Sequence, residues 1–216
     1  MSINNMWIQY SSEFLALALV HFLAVLLPGP DFAITVRNSV RYGYAIGCIT
    51  AIGIGIGISV HVLYTLVGLG IIIQQSPWFM LILRIAGALY LIYLGWSLLR
   101  APSVNIDPSI EETANMPLSQ SKAFITGFMT NALNPKATIF FLAIFTTLVS
   151  PTTPMKVQFA YGIWMCSINA LWFMLVAVLF SRPVVRQQFL KMGKQFERLM
   201  GLILIALALK LLFTHL

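Results

Sequence analysis

Six long apolar runs constrain this chain more than any other feature, at roughly 11–36, 43–73, 77–100, 121–149, 156–181 and 196–214. A helix rises about 1.5 Å per residue, so about 20 apolar residues cross a hydrocarbon layer about 30 Å thick. Strands of a membrane barrel would alternate apolar and polar residues in short segments, whereas these runs are continuous. The expected fold is an all-α membrane protein with six transmembrane helices. The second run is long for one straight span, which predicts loop or interface at its start, Tyr42–Ile46. Composition closes the alternatives. Only 9% of the 216 residues are charged and 59% are hydrophobic, against about 25% charged in a soluble domain. That is too little charge to coat a water-soluble core, and the same figures exclude disorder and a disulfide scaffold.

Residues 1–10 hold no Lys or Arg, and no small-residue cleavage site follows the first run, so the first helix is expected to stay in the mature protein. Trp7 and Tyr10, just ahead of it, suit an interfacial aromatic belt. The net charge of +7 is unevenly spread. Arg37 and Arg41 follow helix 1, Arg100 and Lys122 follow helix 3, and Arg182, Arg186, Lys191, Lys194 and Arg198 follow helix 5, which puts nine cations on one face. The other face has Lys156, with Arg84 and Lys210 near helix ends. Cytoplasmic loops carry the excess of Lys and Arg, so both termini are expected outside. The basic 182–198 stretch reads as a topology signal rather than a nucleic-acid site.

Residues 101–121, with Asp107, Glu111, Glu112 and three prolines, form the one extended polar segment. They divide the chain into a first three-helix repeat (1–100), a cytoplasmic linker (101–121) and a second repeat (122–216). Aligning Pro30 with Pro135 sets Asp31 opposite Lys136, and Arg84-Ile85-Ala86-Gly87 matches Arg198-Leu199-Met200-Gly201. Three is an odd number of spans, so the second repeat would enter from the opposite face. Inverted repeats of this kind occur in secondary transporters, whose substrate sites lie at discontinuous helices near the midplane.

Those discontinuities are written in the sequence. Proline inside a helix removes a donor and clashes with the carbonyl four residues back. Pro28-Gly29-Pro30 should therefore break helix 1. In helix 4, Asn134 can cap a new helix that has Pro135 at its first position. Each break leaves an anion-seeking helix N-terminus inside the membrane, tolerated only where protein or a watery cavity surrounds it. Ionisable residues there face a cavity or a partner. Lys136 needs an anion, and Asp31 is the natural candidate in the empty protein, although helical rise puts Asp31 roughly 9 Å nearer the cytoplasmic end. A zwitterion can replace such a pair, its ammonium facing Asp31 and its carboxylate facing Lys136 and the helix N-termini.

Val20-His21 followed by Pro28-Gly29-Pro30-Asp31-Phe32, then Gly87-Ala88-Leu89-Tyr90-Leu91-Ile92-Tyr93-Leu94-Gly95 and Thr130-Asn131-Ala132-Leu133-Asn134-Pro135-Lys136-Ala137, resembles the lysine exporter family. The likeness is closer to its homoserine/threonine-resistance branch and covers nearly the whole chain. It implies a bacterial inner-membrane exporter of amino acids or their derivatives, driven by the proton gradient, with no cofactor and no enzymatic activity. It carries Pro28, Gly29, Pro30, Asp31, Asn131, Asn134, Pro135 and Lys136 into the transport pathway. Side-chain specificity does not carry over.

Histidine as a residue type titrates near neutrality, so His21 and His61, in helices 1 and 2, are weighed as proton relays, His21 ahead of His61. No carboxylate or second His stands at metal-ligand spacing, so no metal is expected. Gly43/Gly47 and Gly53/Gly57, with Gly55 between the latter two, have the small-residue spacing that lets helices pack closely. Ser167 and Asn169 either line the cavity or cross-bond helices. Cys48 and Cys166 raise one rival function, a membrane thiol–disulfide electron carrier, but the residues beside the breaks are Asp and Lys rather than Cys. Expected partners are a small zwitterionic amino acid and membrane lipid, with no nucleic acid; self-association into a homo-oligomer stays open.

Overall fold

The computed structural model describes residues 3–73, 77–100 and 117–215, and every regular element in them is an α-helix. The order is α1 (Ile3–Val25), α2 (Pro30–Tyr42), α3 (Tyr44–Ile73), α4 (Pro77–Leu99), α5 (Gln120–Ala132), α6 (Pro135–Leu148), α7 (Met155–Phe180) and α8 (Pro183–His215). Both expected breaks are present. α1 and α2 meet at 53° across the Pro-Gly-Pro segment. α6 starts at Pro135, with two residues between it and the end of α5. Proline opens each new helix, where its missing N–H is no loss.

By length and composition α3 and α7 are each apolar enough to cross a membrane, and the bent α1–α2 pair adds a third candidate. Shorter apolar helices cover Ile85–Leu99 in α4 and Pro135–Leu148 in α6. Leu15, Leu63, Val67, Leu171 and Leu175 stand outward, each at least 47% exposed. Outward leucine at this density would be an aggregation hazard in water and is ordinary in lipid.

Two expectations are corrected. At the start of the second run, Tyr42–Ile46, the loop alternative is overturned: α3 is one helix from Tyr44, and the connection to α2 shrinks to Gly43. Gly43 has φ +91°, which a residue with a Cβ rarely adopts, and a Cβ there would touch nothing, so Gly43 makes the turn and does not pack helices. The basic 182–198 stretch is not a loop either. α8 runs unbroken from Pro183, and Phe189 of this stretch packs on Phe32 and Phe180 at ring separations of 5.3 and 5.0 Å.

The other glycines behave as expected. Gly53 lies against the backbone of Phe124 and Phe128 in α5, while Gly127 of α5 lies against Thr50 in α3. Gly95 and Gly201 do the same between α4 and α8. α3 is thereby clamped between α5 and α7, and α4 packs along α8. The core between them is built on Leu17, Ile54, Phe141, Ile144 and Phe145, all at most 2% exposed. Residues 101–116 of the linker, and the side chains of Trp7, Arg84 and Lys191, lie outside the described residues.

Candidate functional site at the two helix breaks

The second break is organised by its own side chains. The Asn134 carboxamide oxygen accepts the Lys136 N–H at 3.0 Å, and the Asn134 carbonyl starts the helix by accepting from Thr138 N at 3.0 Å. This is the predicted cap. At the first break Gly29 occupies the cap position in extended backbone with no side chain to help, and its carbonyl accepts from Ala33 N at 2.9 Å. Two helix N-termini are thus produced in different ways.

Both open on one cavity of about 80 Å³. Gly29 and Pro30 line it from the first break, Asn134 and Lys136 from the second, with His21 and Asn169 beyond them. Phe140, Phe141 and Phe173 supply an apolar wall. A space this size admits several waters. A mostly apolar pocket with a few convergent polar groups is the usual form of a small-molecule site.

The expected contact between Asp31 and Lys136 is not made. Asp31 Oδ2 instead accepts from Asn131 Nδ2 at 2.8 Å, and Asp31 Oδ1 has no partner. Asp31 is also absent from the residues lining the cavity. The reason is depth. Asn131 and Lys136 lie on opposite sides of the second break, and Asp31 meets that segment at Asn131, in the last turn of α5. Lys136 reaches the cavity by itself, while its carbonyl accepts from Tyr90 Oη at 3.1 Å. Asn131 is 1% exposed and its Oδ1 also lacks a partner, so one hydrogen-bonded pair carries two unsatisfied buried acceptors. Leaving such atoms unpaired costs about 1–3 kcal/mol each.

His21 is 1% exposed and in ring contact with Phe140, Phe141 and Trp164. Its Nε2 lies 2.9 Å from Asn169 Nδ2, which also reaches the Met165 carbonyl at 3.4 Å. A carbonyl only accepts, so the amide nitrogen is correctly placed there and the histidine Nε2 is the acceptor. The neutral ring then carries its proton on Nδ1, which is buried without a partner. Asn169 both lines the cavity and bonds α7 to α1. Ser167 does neither; it is exposed and donates to Ile163 O at 2.8 Å.

Sequence reasoning missed three connections. His61 Nε2 lies 2.9 Å from the Asn131 carbonyl, and His61 Nδ1 lies 3.0 Å from Tyr64 Oη. Asn131 as the partner of Asp31 is the second. The third is Glu13, whose carboxylate accepts from Ser150 N at 2.9 Å and from Thr153 Oγ1 at 2.9 and 3.1 Å, tying α1 to the α6–α7 turn. A lone acid inside an apolar run was the available signal for Glu13.

The thiols do not meet. Both are free; Cys48 Sγ lies 3.9 Å from the Met174 carbonyl on α7. Cys166 is eight residues from Met174 on that helix, about 12 Å of rise, beyond the Cα separation of under about 7 Å that a disulfide spans.

Interrupted helices around a small mixed cavity, inside an all-helical and outwardly apolar chain, define a helical membrane protein with a small internal site. The chain belongs to the LysE type translocator family, whose sequence model matches residues 22–215. It is 28% identical to the threonine efflux protein of Salmonella typhi and 27% identical to that of Escherichia coli K12, each over 94% of this chain and 98% of the relative. It is 31% identical to the leucine efflux protein of Salmonella choleraesuis over 60% of both chains. No solved structure matches it. Membrane location and membership of an amino-acid efflux family therefore stand, and nothing supports the thiol–disulfide carrier.

Proposed function

We propose that this protein exports a small amino acid or derivative, threonine- or homoserine-like, from the cytoplasm by proton antiport. The observation that carries the reading is the single cavity onto which both helix breaks and Lys136 open. Threonine efflux is what the relatives matching nearly end to end are named for. In this reading the chain is not an enzyme and needs no cofactor beyond the proton gradient. It crosses the bacterial inner membrane six times as two inverted three-helix repeats, with the α1–α2 and α5–α6 pairs as the broken spans and both termini outside.

The solute carboxylate sits at Lys136 and the two helix N-termini, where partial positive charge and free N–H groups favour it. The ammonium is drawn toward the unsatisfied oxygen of Asp31, which does not line the cavity in this conformation, so the first break has to move for the two to meet. Proton and ammonium compete for Asp31. Protonated from outside, Asp31 releases the solute; deprotonated toward the cytoplasm, it binds the next. His21, lining the same cavity, is a candidate relay. Pro28, Gly29, Pro30 and Pro135 act by holding the breaks open. The test is efflux from proteoliposomes across a panel of amino acids, with and without an imposed pH gradient. Gradient-stimulated efflux of threonine or homoserine is expected. Efflux indifferent to the gradient would mark a passive channel and end the antiport reading.

A further inference from the structure

We infer that His61 is a positioning residue for the transport site. It acts by strapping the two halves of the broken α5–α6 segment together and fixing Asn131, through which Asp31 is set. The inference rests on the site proposed above, but its evidence is separate. His61 is fully buried in α3 and bonds the Asn131 carbonyl at 2.9 Å, in the last turn of α5. Tyr64, one turn along the same face, donates to the Thr138 carbonyl at 3.1 Å, in the first turn of α6. Histidine and tyrosine are themselves 3.0 Å apart. One helix face therefore holds both ends of the break.

Proton placement makes the strap directional. The Asn131 carbonyl only accepts, so His61 must present Nε2–H to it. In the neutral ring Nδ1 is then a lone pair, and it competes with Thr138 O for the single proton of Tyr64. In the charged ring Nδ1–H donates to Tyr64, and the whole chain from Asn131 to Thr138 is satisfied. The ring thus grips α5 in either state and α6 firmly in one. Beyond Asn131 the chain continues through its carboxamide to Asp31 at 2.8 Å. The packed elements carry Asp31, Arg37, Arg41 and Tyr42 on α2, Tyr90 and Tyr93 on α4, Lys122 on α5, Lys136 on α6, and Lys156, Tyr161 and Cys166 on α7, with Tyr44, Cys48 and Tyr64 on α3 itself; of these, Tyr64 bonds the ring directly and Asp31 joins it through Asn131. Nothing in the strap touches the cavity except through these partners, so His61 sets geometry and does not contact the solute.

Amide side chains separate the two ring nitrogens. Gln reaches as far as Nε2, whereas Asn ends at the position of Nδ1. In proteoliposomes His61→Gln should keep at least about a third of the wild-type rate, while His61→Asn and His61→Leu should lose about tenfold or more, the scale of one buried hydrogen bond. Tyr64→Phe should slow turnover about threefold with KM unchanged and flatten the pH profile. In the Asn131→Ala background the backbone carbonyl that His61 bonds is retained but the link to Asp31 is cut, so His61→Asn should add less than its effect in the wild type. Equal damage from Gln and Leu, or full additivity with Asn131→Ala, would overturn the inference. Nitrogen NMR of histidine-labelled protein gives a readout independent of transport, with an Nε2–H resonance expected for neutral His61. An Nδ1–H tautomer rejects the strap even if export is intact, and a wild type that moves no amino acid rejects the export reading while leaving the tautomer to decide the strap.

Discussion

The two broken segments solve one problem with opposite means. α5–α6 spends two residues on its break, and Asn134 accepts the N–H of Lys136, the second residue of α6, so that the new helix is fastened locally. α1–α2 spends four residues, bends by 53°, and has a glycine at the cap with no side-chain bond. After the fastened break comes a cation that reaches the cavity; after the loose one comes an acid that leans on a neighbouring helix. The lesson is a division of labour. The second break is a fixed seat, held by its own cap and, across the gap, by α3. The first is a joint whose geometry is set from outside, by Asn131 and by packing of Phe32 on Phe180 and Phe189.

The comparison is broken most severely at its charges. Asp31→Asn keeps a partner for Asn131 but cannot exchange a proton, so gradient-driven efflux is expected to fall at least about a hundredfold in proteoliposomes, the scale of a lost protonation role. Persistence of coupled efflux would remove Asp31 from the mechanism. Lys136→Ala should weaken binding of an amino acid about tenfold or more, in line with a lost hydrogen bond to a charged group, and should spare its lactone, which carries no carboxylate. Equal effects on the two compounds would show that the seat does not hold the carboxylate.

How far the site was legible in the sequence follows from the range of each interaction. Both breaks and the Asn134 cap were legible because proline and asparagine act on backbone within three residues. The Asp31 contact was not. Choosing Asn131 over Lys136 depends on how deep two separate segments sit against each other, and matching their prolines hides that offset. The start of α8 was missed for a different reason. Lys, Arg, Gln and Glu propagate a helix as well as Leu does, so the helix continued where apolarity stopped. His61 looked like an ordinary membrane histidine because its partners are a carbonyl and a hydroxyl on elements that only folding brings close.

Smaller changes sharpen the contrast between seat and joint. Asn134→Ala removes the one local fastening of α6 and should cost about 1 kcal/mol of stability, read as a lower unfolding temperature in detergent and about fivefold weaker amino-acid binding. Asn134→Asp and Asn134→Ser keep a capping oxygen and should recover most of both. If alanine were silent, the strap from α3 and not the cap would be holding the seat.

Gly29→Ala is expected to do least, and it probes the joint most directly. A Cβ at Gly29 meets nothing within 4 Å, and the backbone there is extended at φ −163°, which alanine adopts freely. By restricting the unfolded chain the substitution should leave the protein as stable or up to about 1 kcal/mol more stable, with efflux within about twofold of wild type. That outcome makes the glycine dispensable and leaves Pro28 and Pro30, with the outside contacts of Asp31 and Phe32, to shape the joint. A normal unfolding temperature with efflux lost would mean something else: that Gly29 passes into left-handed backbone elsewhere in the transport cycle, where alanine is strained and glycine is not.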